Sequence, residues 1–257
     1  MRVLFSFLAA AAITATLAQK PLGPAPVVVE LFTSQGCSSC PPADELIRTL
    51  ARDASLRGKV IPLAFHVDYW DRLGWRDPFS SAEWTRRQFF YVRALNVNSA
   101  FTPQAVVNGG RQFVGSYASA MTEAIQEASR RAPLGHVRVD ATRDGNHITA
   151  RVHADAPSGT DVLLALFQND VTTRIAAGEN DGRMATEDAI VRQLVRVGNG
   201  SVDKSVTLNV DPSWKNVGVA AFLQNHDTLA IGNATSVILS EAKELKIEIL
   251  RRLRGSG

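Results

Sequence analysis

The 257-residue chain contains only two cysteines and three methionines. Two cysteines fill half of a tetrahedral site, so a four-thiolate zinc centre is excluded. Three scattered methionines form no cluster and tell against a copper site built on thioethers. Charge of one sign is also missing: 28 Lys and Arg face 25 Asp and Glu, for a formal net charge of +3. The basic residues form no stripe, so nucleic acid is not an expected partner. No repeat and no low-complexity tract interrupts the chain. Beyond its first residues no apolar run approaches membrane-spanning length, and no stable span is expected in the mature protein.

The N-terminus carries the longest apolar stretch. Arg2 precedes Val3 to Ile13, and small residues lead to Ala18 before the polar pair Gln19–Lys20. That pattern reads as a secretory signal over residues 1–18 with a cut after Ala18. It implies a secreted or periplasmic setting, where disulfides persist. With no cysteine near the cut, lipid attachment there is excluded.

The two cysteines stand together as Cys37-Ser38-Ser39-Cys40. An apolar run, Val27 to Phe32, precedes them and reads as a buried strand. Pro41-Pro42-Ala43-Asp44-Glu45 follows and opens a helical pattern. A thiol pair at a helix start meets free amides and the positive end of the helix dipole, both of which favour the thiolate. The pattern therefore points to dithiol–disulfide exchange. Two other readings stay open: a small static disulfide, which stabilises weakly because its loop is short, and a metal site.

Further along, residues 19–26 form a Pro-rich lead-in. Strands are expected at 27–32, 59–66, 104–108 and 111–115, and helices at 42–53 and 117–131, with Ser116 able to cap the last. The stretch between 66 and about 95 reads as irregular or helical. Asn108-Gly109 between apolar runs signals a hairpin. Pro133-Leu134-Gly135 marks a boundary, after which seven or so short strands with Asp-Gly, Asn-Gly and Ser-Gly turns suggest a β-sandwich over 136–240. Residues 241–257 are a tail whose basic amphipathic pattern is that of a terminal helix.

Phe101-Thr102-Pro103-Gln104 then gives the motif a context. Strand, Cys-x-x-Cys helix, strand, insert, and Thr-Pro before a hairpin and a closing helix is an order that resembles the thioredoxin fold. The resemblance implies a cis proline at Pro103 facing the cysteines, with Thr102 holding an extended substrate chain. The chain as a whole resembles the secreted, thioredoxin-like domain of unknown function 1223 family. That resemblance rests on Val29 to Asp44, on His66-Val67-Asp68-Tyr69-Trp70-Asp71, on Phe101 to Gln104, and on Gly178 to Arg183. The expected fold class is an α/β thioredoxin-like N-terminal domain (27–132) followed by an all-β, sandwich-like C-terminal domain.

On this reading Cys37 is the nucleophile and Cys40 resolves the mixed disulfide. Ser38 and Ser39 are possible hydrogen-bond donors to the thiolate. Glu30, a charge inside an apolar strand, is a candidate proton carrier if burial raises its pKa. His66 ends the second strand, at the carboxyl edge where functional groups gather; it is a candidate proton donor, or a third ligand beside Cys37 and Cys40 if the site binds Cu(I) as a chaperone would. The expected activity is exchange with protein thiols and disulfides or with a redox partner protein, without a cofactor.

Overall fold

The computed structural model describes residues 24–239. The signal expected over residues 1–18 and the C-terminal tail of 241–257 lie outside that range.

β1 (Val27–Thr33) is buried at every position, and β2 (Val60–His66) beside it is buried along its whole length. A parallel pair covered on both faces needs such unbroken apolar runs, and the two align from Val27 with Val60 to Thr33 with His66. Between them runs α1 (Pro41–Arg52), with prolines in its first turn, where no amide partner is lost. After β2 the chain forms α2 (Ala82–Ala94), capped by the Ser81 hydroxyl, which accepts from the Glu83 amide. β3 (Gln104–Val107) and β4 (Arg111–Val114) make a hairpin whose turn residues Asn108 and Gly109 both have positive φ, 44° and 64°. That is the geometry an Asn-Gly pair favours. α3 (Ala118–Ser129) closes this part; its N-cap is Tyr117, with no side-chain cap, so Ser116 lies one residue outside.

The second half adds β5 (His136–Asp144), β6 (His147–Asp155), β7 (Thr160–Gln168), β8 (Val171–Arg174), β9 (Met184–Glu187), β10 (Ile190–Asn199), β11 (Val202–Asn209), β12 (Val217–Asn225) and β13 (Ile231–Leu239). Here the expected fold class needs correction. The four strands of the first half do not form a sheet of their own, and the later strands do not close into a separate sandwich. One eight-stranded mixed sheet runs β13-β12-β7-β10-β2-β1-β3-β4. The join is at β2, where Ile190 of β10 lies beside Ala64 and the Ala64 amide donates to the Ala189 carbonyl at 2.8 Å.

Thirteen strands against three α-helices among the described residues make the protein mostly β, not α/β followed by β. Three helices are too few to flank so wide a sheet: α1 and α3 lie at its β2-β1-β3-β4 end, while α2 on the other face reaches β12 as well. There α1 and α3 bury Ala43, Ile47, Met121 and Ala124 against Val29, Leu31 and Ala105. On the opposite face Trp84 and Tyr91 of α2 pack with Phe32, Phe65 and Phe222. At the other end the three-stranded sheet β11-β6-β5 supplies Ile148, Ala150 and Val152 to a core with Leu164, Leu166 and Val219. This architecture is hidden in the sequence because period-two and apolar-run patterns reveal that a strand exists without naming its neighbour.

Candidate functional site

β1 delivers the chain into a tight turn at its C-terminal end, and α1 begins four residues after the first cysteine. The Cys37 amide donates to the Ser34 carbonyl, and the Cys40 amide to the Cys37 carbonyl, at 3.1 and 3.2 Å. Cys40 is the N-cap of α1, and its carbonyl accepts from the Ala43 and Asp44 amides. The two cysteines are joined as a disulfide. Both are fully buried, while Ser38 and Ser39 between them are exposed.

Polar groups gather over Cys37. The Ser39 hydroxyl lies 3.4 Å from Cys37 Sγ, and the Thr102 hydroxyl donates to the same sulfur at 3.3 Å. Thr102 in turn accepts from the Trp70 indole at 2.8 Å. The Thr102–Pro103 peptide is cis. The Ser39 and Thr102 hydroxyls thus meet at the sulfur, with the buried Pro103 following Thr102, whereas Ser38 contributes its backbone amide to the loop instead.

The loop is also held from far along the chain. Asn180, in the segment joining β8 to β9, is buried, and its side-chain amide donates to both the Gln35 and Cys37 carbonyls at 2.9 Å. Glu179, exposed beside it, accepts from the Ser38 amide at 3.3 Å. Glu187 of β9 accepts from the Gln35 carboxamide at 2.6 Å.

Beneath the loop lies a cluster of ionisable groups. His66 Nδ1 is 2.7 Å from an Asp77 oxygen that also accepts from the Gln35 amide. His66 Nε2, buried and without a hydrogen-bond partner, faces Glu187 at 3.8 Å. Asp44, in the first turn of α1, accepts from the Thr33 hydroxyl at 2.7 Å. A cavity of about 130 Å³ borders Asp44 and Glu187 together with Ser34, Gln35 and Asn180. Burial, reinforced by the Glu187 carboxylate, pushes the Asp44 carboxyl up to about 8. Burial alone would lower His66, but the Asp77 and Glu187 carboxylates outweigh it and raise it to about 9. Burial also works to raise Asp77, yet His66 and the amides of Gln35 and Phe79 hold it below the usual carboxylate range. Glu187 is raised, mainly by burial.

Glu30 is placed elsewhere. It shares the β1 face of Val28 and Phe32, where Arg87 of α2 meets both its oxygens at 2.6 and 2.8 Å and the Tyr91 hydroxyl donates at 2.6 Å. It makes no hydrogen bond to the cysteine loop among the described residues. His66 does not stand with the two sulfurs as a ligand set either: its Nδ1 is engaged by Asp77. No group of three or more His, Cys, Asp or Glu among the described residues is arranged to hold a metal ion.

Sequence reasoning misses Asn180, Glu187, Asp77 and Asp44 as members of the site. The Gly178-to-Arg183 turn is visible as a polar block, but nothing in it names a contact 143 residues away. Asp44 reads in sequence only as a helix-opening acid.

This site, a disulfide at the start of α1 fastened by distant strands of one large sheet, belongs to a recognisable group. The chain is a member of the protein of unknown function DUF1223 family, whose model it matches over residues 28–224. It is similar to the crystal structure of protein AGR_C_4864 from Agrobacterium tumefaciens, at 32% identity and a TM-score of 0.64, over 87% of this chain and 96% of that one. HBP35 of Porphyromonas gingivalis shares the fold at 16% identity and a TM-score of 0.63, over 86% of this chain and 77% of that one. Among curated proteins none matches.

Proposed function

We propose that the protein is an exported thiol–disulfide oxidoreductase that exchanges disulfides with protein thiols through Cys37 and Cys40. The observation that carries this reading is the setting of Cys37 Sγ. It lies beneath the Ser39 and Thr102 hydroxyls at the N-terminus of a helix, where hydrogen bonds and the helix dipole favour a thiolate. A purely structural bridge has no use for such donors, and its loop, closed over a separation of three residues, stabilises little.

In the oxidising direction a partner thiolate attacks Cys37 Sγ, the Cys37–Cys40 bond breaks, and Cys40 leaves with the electron pair. A second partner thiolate then attacks the partner sulfur of the mixed disulfide and releases Cys37 as a thiolate. The partner is oxidised to a disulfide and the pair is reduced. In the reverse direction Cys37 attacks and Cys40 resolves. Because both sulfurs are buried, the Ser39 and Thr102 hydroxyls must part before a partner sulfur arrives. Export rests on the apolar run behind Arg2.

The test combines two measurements. Cys40→Ser is expected to accumulate a mixed disulfide between Cys37 and a scrambled protein substrate, and Cys37→Ser to abolish turnover. The reduction potential in glutathione buffers is expected between about −270 and −120 mV. A potential well below about −300 mV, with no trapped adduct, would make the bridge structural and end this reading.

A further inference from the structure

The β8–β9 segment contributes two side chains of opposite character to the cysteine loop. Asn180 uses both hydrogens of its amide, one on the Gln35 carbonyl and one on the Cys37 carbonyl. It is 4% exposed, so water does not compete for those carbonyls. With the Cys40 amide on the same Cys37 oxygen, the negative end of that peptide is held by two donors and kept from turning toward the sulfur. Glu179 acts in the other sense. Its carboxylate accepts from the Ser38 amide, the amide that directly follows Cys37. When the disulfide opens, a Cys37 thiolate and the Glu179 carboxylate both seek that N–H, and the two negative charges repel.

We infer that the segment joining β8 to β9 sets the redox poise of the Cys37–Cys40 pair, with Asn180 positioning the loop in favour of a Cys37 thiolate and Glu179 opposing it. Both are positioning residues: each acts on the sulfur through the backbone of the loop. The consequence for turnover rests on the proposed oxidoreductase function, but the poise is a property of the bond and is measured without a protein partner. Two glutathione thiols reduce the bond and become one glutathione disulfide. Cys37 keeps one electron pair as a thiolate, Cys40 takes up one of the two protons the glutathione thiols give up, and the other goes to solvent.

The experiment equilibrates the full chain in graded mixtures of reduced and oxidised glutathione, counts alkylated thiols by mass, and titrates Cys37 in the reduced form. Glu179→Gln keeps an acceptor for the Ser38 amide but removes the charge. It is expected to lower the Cys37 pKa and to favour the dithiol by about three- to tenfold. Asn180→Ala removes the side-chain donor from both carbonyls, leaving the Cys37 carbonyl to the Cys40 amide alone, and is expected to raise that pKa and to disfavour the dithiol by a similar factor. General loosening of the loop would move both variants the same way, so opposite shifts are the signature. Glu179 is exposed and its substitution leaves the core intact, so this variant decides the matter even if Asn180→Ala unfolds. An equilibrium for Glu179→Gln within about twofold of the parent, or a shift toward the disulfide, overturns the inference. Opposite shifts in a protein that fails to turn over protein disulfides would uphold the poise and end the oxidoreductase reading instead.

Discussion

Asp44 and His66 show how single residues acquire properties that their type does not give them. An isolated aspartate ionises near 3.8, but Asp44 in the folded chain holds its proton to about 8. The unfolded chain therefore releases a proton that the folded one keeps, and stability falls as pH rises from about 4 to about 8. His66, raised from 6.5 to about 9, has the same sign: its contribution is complete below 6.5 and is lost as pH rises through 9. The depressed Asp77 works oppositely, contributing above the carboxylate range and losing that only as pH falls. Urea unfolding of the oxidised protein is thus expected to show lower stability at about pH 8 than at about pH 5. Asp44→Asn removes up to about 1.4 kcal/mol per pH unit of that slope. A variant as steep as the parent would place the proton on another group. The sequence displays these residues but cannot show what their burial costs, because the Thr33 hydroxyl and the Glu187 and Asp77 charges that act on Asp44 come from three distant parts of the chain. Glu30 is the converse case. Its oddity in an apolar run is legible, but its partner Arg87 sits in a stretch that reads as irregular or helical, so a buried ion pair looks like a free acid.

Among elements, the β3–β4 hairpin is legible almost to the residue, because an Asn-Gly turn carries its own mechanism. What the sequence does not disclose is how the turn is used. The Asn108 side chain accepts from the Val28 amide at 2.7 Å, and its carbonyl accepts from the Ile231 amide at 2.9 Å. Gly109 has φ +64° and presses against the Leu229 backbone, so a Cβ would run into the Leu229 carbonyl. Gly145, in the β5–β6 turn, has φ +57° and open space around it. Gly145→Ala is expected to cost about 1–2 kcal/mol from its left-handed backbone alone. Gly109→Ala should cost clearly more, at least about 2 kcal/mol, as read from urea midpoints at constant slope. Equal costs would mean that the Leu229 contact yields freely. By contrast, β8 and β9 escape sequence reading altogether: strands of only four residues, with no buried apolar side chain in either, carry little apolar signal.

At the scale of the molecule, the strand joining the halves decides how the protein unfolds. β2 has β1 on one side and β10 on the other, and Arg87 of the first half reaches Gln224 of the second at 3.2 Å. Calorimetry of the whole chain is expected to give one cooperative transition. A fragment of residues 24–133 would leave the β2 edge bare and Gln35 without Glu187, and it is expected to show no cooperative transition of its own. A fragment that melts sharply by itself would contradict the one-sheet account. Apart from β8 and β9, the individual strands of the second half are readable, since they alternate or run apolar. Their continuity with the first half is not, because it depends on pairings between residues more than a hundred positions apart, such as Ala64 with Ile190.

Asn180 follows Cys37 by 143 residues. A ribosome adding about 5–20 residues each second leaves the cysteines waiting on the order of ten seconds before that side chain exists. During the interval the pair sits in a growing chain with neither the amide that pins its loop nor the Glu187 carboxylate beneath it. The part of the loop's setting that Asn180 and Glu187 supply is therefore conferred only after translation has passed the cysteines by. The cysteine pair is thus made early and meets its distant partners late, and an incomplete chain carries the two sulfurs without Asn180 or Glu187 beside their loop.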